Sequence, residues 1–528
     1  MQAKYISYQE TNAFSAIVLD YISGKDQLKS FYKYTPDFNG FAEAIKNRNY
    51  NADRTVLVET LKKQYASVKT TPMVTEHIKR LGDSRTFTIT TGHQLNIFTG
   101  PLYFIYKIVT AINLARELKQ EFPDYNFVPV YWMATEDHDF EEINHVKIED
   151  KMLTWNKEAA GATGRLNTKD IIETLTAYKG YLGIGTKGLM LSRLVEAAYT
   201  NNAKLSDATR ELVDALFGEY GLVCVDADDP QLKKQFAEII YQDITEQNSF
   251  KFISESNAQL EAIGHKPQVN PREINFFYMT DQLRERIVEE DGRYNVMHTE
   301  ISFSKEELET EISNFPERFS PNVVMRPVYQ ELILPNLAYI GGGAELTYWL
   351  QLKSNFDHYK VDFPIVLLCN SALVIDSRSE ERMQILGISY KNLFAKTETI
   401  KNDWVRSHVN LQLTLNDEER AISAVFDQIK LNAYKIDKTL SQSADAAKTR
   451  ALKLISNLEK KMLRAEKRKH KTSLAQIESL KEKLFPTGVL QERVLNIAPL
   501  YVLYGDEFID SLVAYFKPLD HQFTVLFA

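Results

Sequence analysis

Two patterns of hydrophobic and polar positions divide this chain. Over residues 87–369, short apolar runs alternate with longer stretches of helical period. The runs Phe87-Thr88-Ile89-Thr90, Phe127-Val128-Pro129-Val130-Tyr131-Trp132-Met133, Leu222-Val223-Cys224-Val225-Asp226 and Ile365-Val366-Leu367-Leu368-Cys369 are almost continuously apolar, as parallel strands buried on both faces are. Between the first two, Ile105, Ile108, Val109, Ile112, Leu114 and Ala115 nearly encircle a helix expected over residues 103–120, with Pro101 at its first turn. Further helices are expected over 189–220, 231–244 and 344–354. Strand patterns occur at 145–149, 274–279 and 294–298, and the apolar runs 323–330 and 332–335 follow. Strands alternating with helices predict an α/β sheet with inserted pieces.

After about residue 398 the period changes. Residues 421–484 contain no glycine and no proline, and Ile422, Phe426, Ile429, Ala433, Ile436 and Leu440 are spaced 4, 3, 4, 3, 4. That is a heptad seam. Ala451, Ile455, Leu458, Met462 and Ala465 continue it, and Leu474, Ile477, Leu480 and Leu484 resume in another register. The expectation is a long helical hairpin or coiled coil, with its turn near 441–445 and its stop at Phe485-Pro486-Thr487-Gly488. The C-terminal stretch reads as a strand or loop over 500–504, a helix over 505–516 and a strand over 522–527. The division expected is 1–80, an N-terminal helical segment joining the core; 81–397, the α/β core; 398–485, the helical hairpin; and 486–528, a segment returning to the core.

The 528 residues carry a formal net charge of -8, with 25% charged and 44% hydrophobic residues. That balance argues against a dedicated nucleic-acid binder. The basic run over 460–471 then reads as the solvated face of the hairpin. Two cysteines, Cys224 and Cys369, sit in apolar runs and read as buried strand residues. Their number excludes a disulfide framework and a Cys-rich zinc site. No apolar run approaches the roughly 20 residues of a membrane span, and the N-terminus lacks a signal pattern. The expectation is a soluble cytoplasmic protein.

Candidate chemistry falls where the strands end, the usual ligand position in open α/β sheets. The first loop, Gly92-His93-Gln94-Leu95-Asn96-Ile97-Phe98-Thr99-Gly100, lies between a strand and a helix whose N–H groups suit an anion, with Lys107 one turn further on. The second, Glu136-Asp137-His138-Asp139, crowds four ionisable groups at the end of a buried strand. Such crowding shifts pKa values and suits a general base, or Mg2+ held by carboxylate oxygens. The third joins Arg326-Pro327-Val328-Tyr329-Gln330 to Gly341-Gly342-Gly343-Ala344-Glu345, where Arg326 suits a carboxylate or phosphate. No three-ligand zinc spacing is present.

These segments together resemble the BshC family of bacillithiol biosynthesis. The resemblance rests on Thr91-Gly92-His93-Gln94 through Phe98-Thr99-Gly100-Pro101-Leu102-Tyr103, and on Glu136-Asp137-His138-Asp139-Phe140-Glu141-Glu142-Ile143. It continues in order through Arg326-Pro327, Pro335, Tyr339-Ile340-Gly341-Gly342 and Phe485-Pro486-Thr487-Gly488 to Leu490-Gln491-Glu492-Arg493. It implies a Rossmann-type core with connecting insertions, related to class I aminoacyl-tRNA synthetases and nucleotidyltransferases. It also implies a coiled-coil domain that makes a homodimer. The implied activity is a ligase adding L-cysteine to glucosaminyl-malate, with ATP or another nucleotide and Mg2+ as candidate activators. The synthetase pattern itself is incomplete: one His stands at Gly92-His93 where a His-x-Gly-His is expected, no Lys-Met-Ser-Lys-Ser-like loop appears, and no Cys ligands for a thiol-selecting zinc are present. The residues expected to act are Asp137, His138 and Asp139. Those expected to bind substrate are Gly92, His93, Gln94, Thr99, Gly100, Tyr103, Glu136, Arg326, Gln330, Gly341 and Gly342. The rival readings are a non-catalytic coiled-coil dimer with a ligand-binding body, and a nucleotidyltransferase on another substrate.

Overall fold

A computed structural model describes residues 1–48, 50, 53–409 and 414–528. The chain forms two compact units. One comprises residues 1–9, 13–373 and 491–526, the other 10–12, 374–490 and 527–528.

The first unit is built on five parallel strands: β1 (Thr86–His93), β2 (Asn126–Met133), β3 (Val223–Asp226), β4 (Asn336–Gly341) and β5 (Ile365–Leu368), in the order β5-β4-β1-β2-β3. All five are buried along nearly their whole length, which explains their unbroken apolar sequence. From β1 the chain moves outward through β2 to β3, then returns to the other side of β1 for β4 and β5. The order reverses between β1 and β4, the Rossmann-type arrangement, and a crevice opens beyond the carboxyl ends of these two strands. Helix α1 (Leu102–Glu121) crosses from β1 to β2 and is buried on every face from Leu102 to Ala115.

Several elements differ from the sequence expectation. The run 323–330 is not extended: helix α2 (Arg326–Ile333) starts there with Pro327 in its first turn. The strand beside it is β4, whose apolar core of four residues, Leu337 to Ile340, is hidden between Pro335 and the triple glycine. Helix α3 (Gly343–Leu350) follows at once. The helix expected over 189–220 is two, Thr186–Asn201 and Leu205–Phe217. Asn202 separates them, its side-chain amide donating to the Ala198 carbonyl at 2.9 Å in competition with the backbone. The helix expected over 231–244 is likewise divided into Pro230–Lys234 and Ala237–Glu246. Residues 500–504 are helical, within Ala498–Tyr504, with Pro499 in the first turn. The strand His145–Ile148 pairs with Lys151–Thr154, apart from the main sheet, and Lys147 bridges to Leu495. A separate antiparallel sheet of Phe276–Thr280, Leu283–Glu290, Arg293–Val296, Ser302–Phe303 and Phe319–Pro321 is an insertion before α2.

In the second unit, helices Asn416–Ile436 and Leu440–Lys469 form the hairpin, joined by residues 437–439 rather than 441–445, which lie inside the second helix. Lys430–Asp445 and Lys448–Asp427, both at 2.7 Å, tie the two antiparallel arms. A break at His470 starts a new helix, Lys471–Leu484, and this explains the change of register: Leu474, Ile477, Leu480 and Leu484 form its buried face. In the basic run, Lys467 pairs with Glu398 at 2.8 Å and Lys469 with Glu466 at 2.7 Å.

Candidate functional site

A cavity of about 840 Å³ lies over the carboxyl ends of β1, β2 and β4, where the strand order reverses. Its wall includes Gly92, His93, Gln94, Tyr103, Glu136, Asp137, His138 and Arg326 from the residues singled out in sequence. It also includes Lys107, Trp132, Glu142, Arg284, Tyr339, Glu345, Tyr348 and Arg493.

One end is a network of cations and tyrosines around the buried Lys107. Lys107, on the first turns of α1, donates to the Gly92 carbonyl at the end of β1 and to Glu345 Oε2 on α3 at 2.6 Å. Glu345 also accepts from the Tyr339 hydroxyl at 2.7 Å and from Gly342 N at 2.9 Å. Burial pushes this carboxyl up, but Lys107 and the hydrogen bonds outweigh it and hold the group below its ordinary value. Lys107 therefore fastens the tip of β1 to the helix after β4. Arg326 is half-buried beside them, and its guanidinium donates to Gln330 Oε1 at 3.3 Å and to the Tyr348 hydroxyl at 2.8 Å. Both partners are neutral. Among the described residues no carboxylate oxygen comes within the 4.0 Å of an ion pair to Arg326. Glycine is required at 342 by close approach: a Cβ there would overlap the Tyr103 hydroxyl. Gly342→Ala is expected to displace Tyr103 and lower ligand affinity by at least about tenfold, measured by titration calorimetry, with the far-ultraviolet circular dichroism unchanged.

The other end is acidic. Glu136 is ion-paired with the buried Lys233, whose ammonium also lies 4.6 Å from the Tyr329 ring centre. Asp137 accepts from the Gln94 side chain and from His138 N, the latter at 2.7 Å. Burial pushes its carboxyl up, yet the hydrogen bonds from His138 and Gln94 and the charge of Arg284 hold it far below the usual carboxylate range. Arg284, stacked 4.0 Å over Phe277, reaches His138 Nδ1 at 2.8 Å. Asp137 Oδ1 is 3.4 Å from the same nitrogen. A guanidinium can only donate, so Nδ1 accepts in this geometry and the imidazole proton sits on Nε2. Glu142 is pushed up by burial, then by Asp139 and Asp137.

His93, at the end of β1, is packed 5.2 Å from the Phe104 ring, and its buried Nε2 has no hydrogen-bond partner. Burial and then Lys107 push its pKa down to about 3. A His lowered in the fold favours the neutral form, so its contribution to stability is complete above the ordinary value of about 6.5 and is lost as pH falls toward 3. His93→Gln should flatten the loss of unfolding free energy between about pH 6.5 and 4.5 by up to one bound proton, read from denaturant titrations at the two pH values.

The other residues named in sequence stand off the cavity wall. Asp139 caps the short helix Phe140–Ile143, accepting from Glu142 N at 3.3 Å. Thr99 and Gly100 belong to a turn in which Phe98, Thr99 and Gly100 all have positive φ. The Asn496 side chain holds that turn through the Phe98 and Gly100 carbonyls at 2.9 and 2.6 Å. The first N–H of α1, Leu102 N, donates to Leu495 O at 2.7 Å, so this helix start is closed by protein. Gln330 is buried and donates to Glu331 at 2.9 Å, and Gly341 and Gly342 lie beneath Tyr339 and Tyr103. Among the described residues no group of three or more His, Cys, Asp or Glu side chains is placed to hold a metal ion. Arg284 and Tyr348 had no motif to mark them, while Arg493 stood in a quoted motif without a role.

A family description, the N-terminal Rossmann-like domain of bacillithiol biosynthesis BshC, matches residues 1–370, and that of its C-terminal coiled-coil domain matches residues 372–528. Proteins of Flavobacterium psychrophilum, Flavobacterium johnsoniae and Christiangramia forsetii, each named "Putative cysteine ligase BshC", are 44%, 43% and 42% identical to this chain. Each alignment covers 100% of this chain and 99%, 100% and 99% of the respective relative. Spanned end to end by these two domains, the chain belongs to the bacillithiol biosynthesis BshC family.

Proposed function

We propose that this protein is a ligase joining the carboxyl group of L-cysteine to the amine of glucosaminyl-malate, the last step of bacillithiol formation. The observation that carries the reading is the polarity of the cavity. Arg326, a half-buried guanidinium whose hydrogen-bond partners are neutral, borders one end, and the Asp137–His138–Arg284 cluster borders the other. An acceptor with carboxylates at one end and an amine at the other fits that polarity. The names of the relatives favour this over a non-catalytic module or a nucleotidyltransferase on another substrate.

A carboxylate does not condense with an amine unaided, so cysteine enters as an activated acyl group, with ATP or another nucleotide, accompanied by Mg2+, as the activator. The chain's own residues then orient and deprotonate the amine. An amine attacks only when neutral. Asp137 is too acidic to be a good base and serves as a fixed anion. Contact of Arg284 with a bound anion frees His138 Nδ1 to donate to Asp137 Oδ1, and Nε2 becomes the acceptor that takes the amine proton. A bacterial strain lacking its own last-step enzyme tests the reading: this chain should restore bacillithiol, and His138→Ala should not. Restoration by His138→Ala at the parental level would refute the role of the cluster.

We place the reaction in the cytoplasm, where the two buried free cysteines stay reduced. Among the described residues no helix is long and apolar enough to cross a membrane. We further propose a homodimer through the helical hairpin, which leaves Val425, Ile429, Leu431, Ile436, Leu454 and Leu458 exposed. Ile429→Asp should halve the mass seen in sedimentation equilibrium.

A further inference from the structure

Arg493 comes to the cavity from the far end of the chain and has no part in the chemistry described above. Its guanidinium lies 3.7 Å from the centre of the Tyr103 ring, a stacked cation–π placement that holds the planar fork in one orientation. Glu492 Oε1 is 3.8 Å from its Nε, too far for a hydrogen bond. That carboxylate is already engaged by the Ser371 hydroxyl at 2.8 Å and by Ala372 N at 3.0 Å. Arg493 is thus pre-positioned, with no hydrogen bond to an acid. Arg326, on the same wall, has no carboxylate at ion-pair distance among the described residues, while Lys107 beside them is matched by Glu345.

Arg326 has no carboxylate at ion-pair distance among the described residues, and Arg493 has only Glu492, without a hydrogen bond, so both forks are open to anionic oxygens from a ligand. Phosphates are commonly held by several free N–H groups at helix starts, and at this end of the cavity two of those donors are already taken. Gly342 N, at the start of α3, is taken by Glu345, and Leu102 N, at the start of α1, by the Leu495 carbonyl. A planar guanidinium fork matches a planar carboxylate through two parallel N–H···O bonds.

We propose that Arg326 and Arg493 form a two-point clamp for a ligand bearing two carboxylates, and that Arg493, by taking the second, selects a dicarboxylate acceptor over a monocarboxylate one. The identity of the acceptor rests on the ligase reading; the clamp rests on the two guanidiniums. Glucosaminyl-malate carries two carboxylates, and glucosaminyl-lactate is the same acceptor with one.

Titration calorimetry of both compounds against the full-length parent, Arg493→Gln and Arg493→Lys tests the clamp without turnover. The parent should bind the malate compound about 10–100-fold more tightly than the lactate compound, the range expected of one charge-assisted contact. Arg493→Gln should erase that preference by weakening the malate compound alone. Arg493→Lys should keep part of it, and ATP affinity should be unchanged in both variants. A parent that does not discriminate, or a variant that weakens both compounds equally or loses ATP instead, overturns the clamp. Should the Gln variant misfold, the parental preference and the Lys variant still decide. Failure of the ligase reading looks different: the parent makes no bacillithiol from cysteine, nucleotide and glucosaminyl-malate, whatever it binds.

Discussion

Asp137→Asn should lower the rate of amide formation by about 10²–10⁴-fold, the usual worth of a positioned acid–base pair, while leaving the fold intact. The substitution is nearly isosteric. Oδ1 keeps its hydrogen bond from His138 N. Gln94, whose buried Oε1 has no partner, can turn its amide to accept from the new NH2. What is lost is the fixed negative charge that, in the proposed mechanism, lets His138 Nδ1 donate once Arg284 is engaged by an anion. The defect should therefore appear in kcat rather than in KM for glucosaminyl-malate, whose carboxylates the proposed clamp holds at the other end. Since Asp137 stays ionised far below neutrality, the parental pH–rate profile should show no inflection belonging to it between about pH 5 and 9. An unchanged kcat would remove the Asp137–His138 pair from the mechanism.

Lys107→Met should cost about 3–5 kcal/mol of stability, the range for removing one partner of a buried ion pair. It leaves the Glu345 carboxylate without its cation and the Gly92 carbonyl without its donor. The double variant Lys107→Met, Glu345→Gln should lose less than the sum of the single losses, because no orphaned charge remains. The pH dependence has a definite sign. The Glu345 carboxyl is depressed in the fold, so the pair contributes fully above the unfolded value of about 4.3 and fades as pH falls through the folded value. The gap between parent and Lys107→Met should narrow below about pH 4.3. A gap independent of pH would mean that Lys107 acts by packing alone.

Strands buried on both faces were legible because burial leaves an unbroken apolar signature: β1, β2, β3 and β5 stand where the runs are. The strand β4 escaped notice although it forms the other half of the crevice. Its four apolar residues lie between Pro335 and Gly341, and the polar Asn336 at its start serves the core instead, accepting from Thr88 and Thr90 at 3.0 and 2.7 Å. The two strand-end loops come together at the carboxyl end of the sheet, where Gly92 to Gln94 and Glu136 to His138 meet around one cavity. Arg284 and Arg493 were not legible as site residues. They arrive from an inserted antiparallel sheet and from the C-terminal segment, and pairings across such sequence distances leave no local period. The hairpin turn was misplaced because Ser441 to Asp445 are polar like a loop, yet they lie on a helix whose exposed face tolerates them.

Isotope transfer during synthesis by the purified full-length protein tests the central claim most directly. With L-cysteine labelled by 18O in its carboxyl group, glucosaminyl-malate, ATP and Mg2+, the acyl oxygen displaced by the amine must leave on the activating phosphoryl group. The expected result is bacillithiol in amount equal to AMP or phosphate carrying one 18O, and loss of both products in Asp137→Asn. Intact substrates after incubation with the parent, or equal yields from parent and Asp137→Asn, would contradict it.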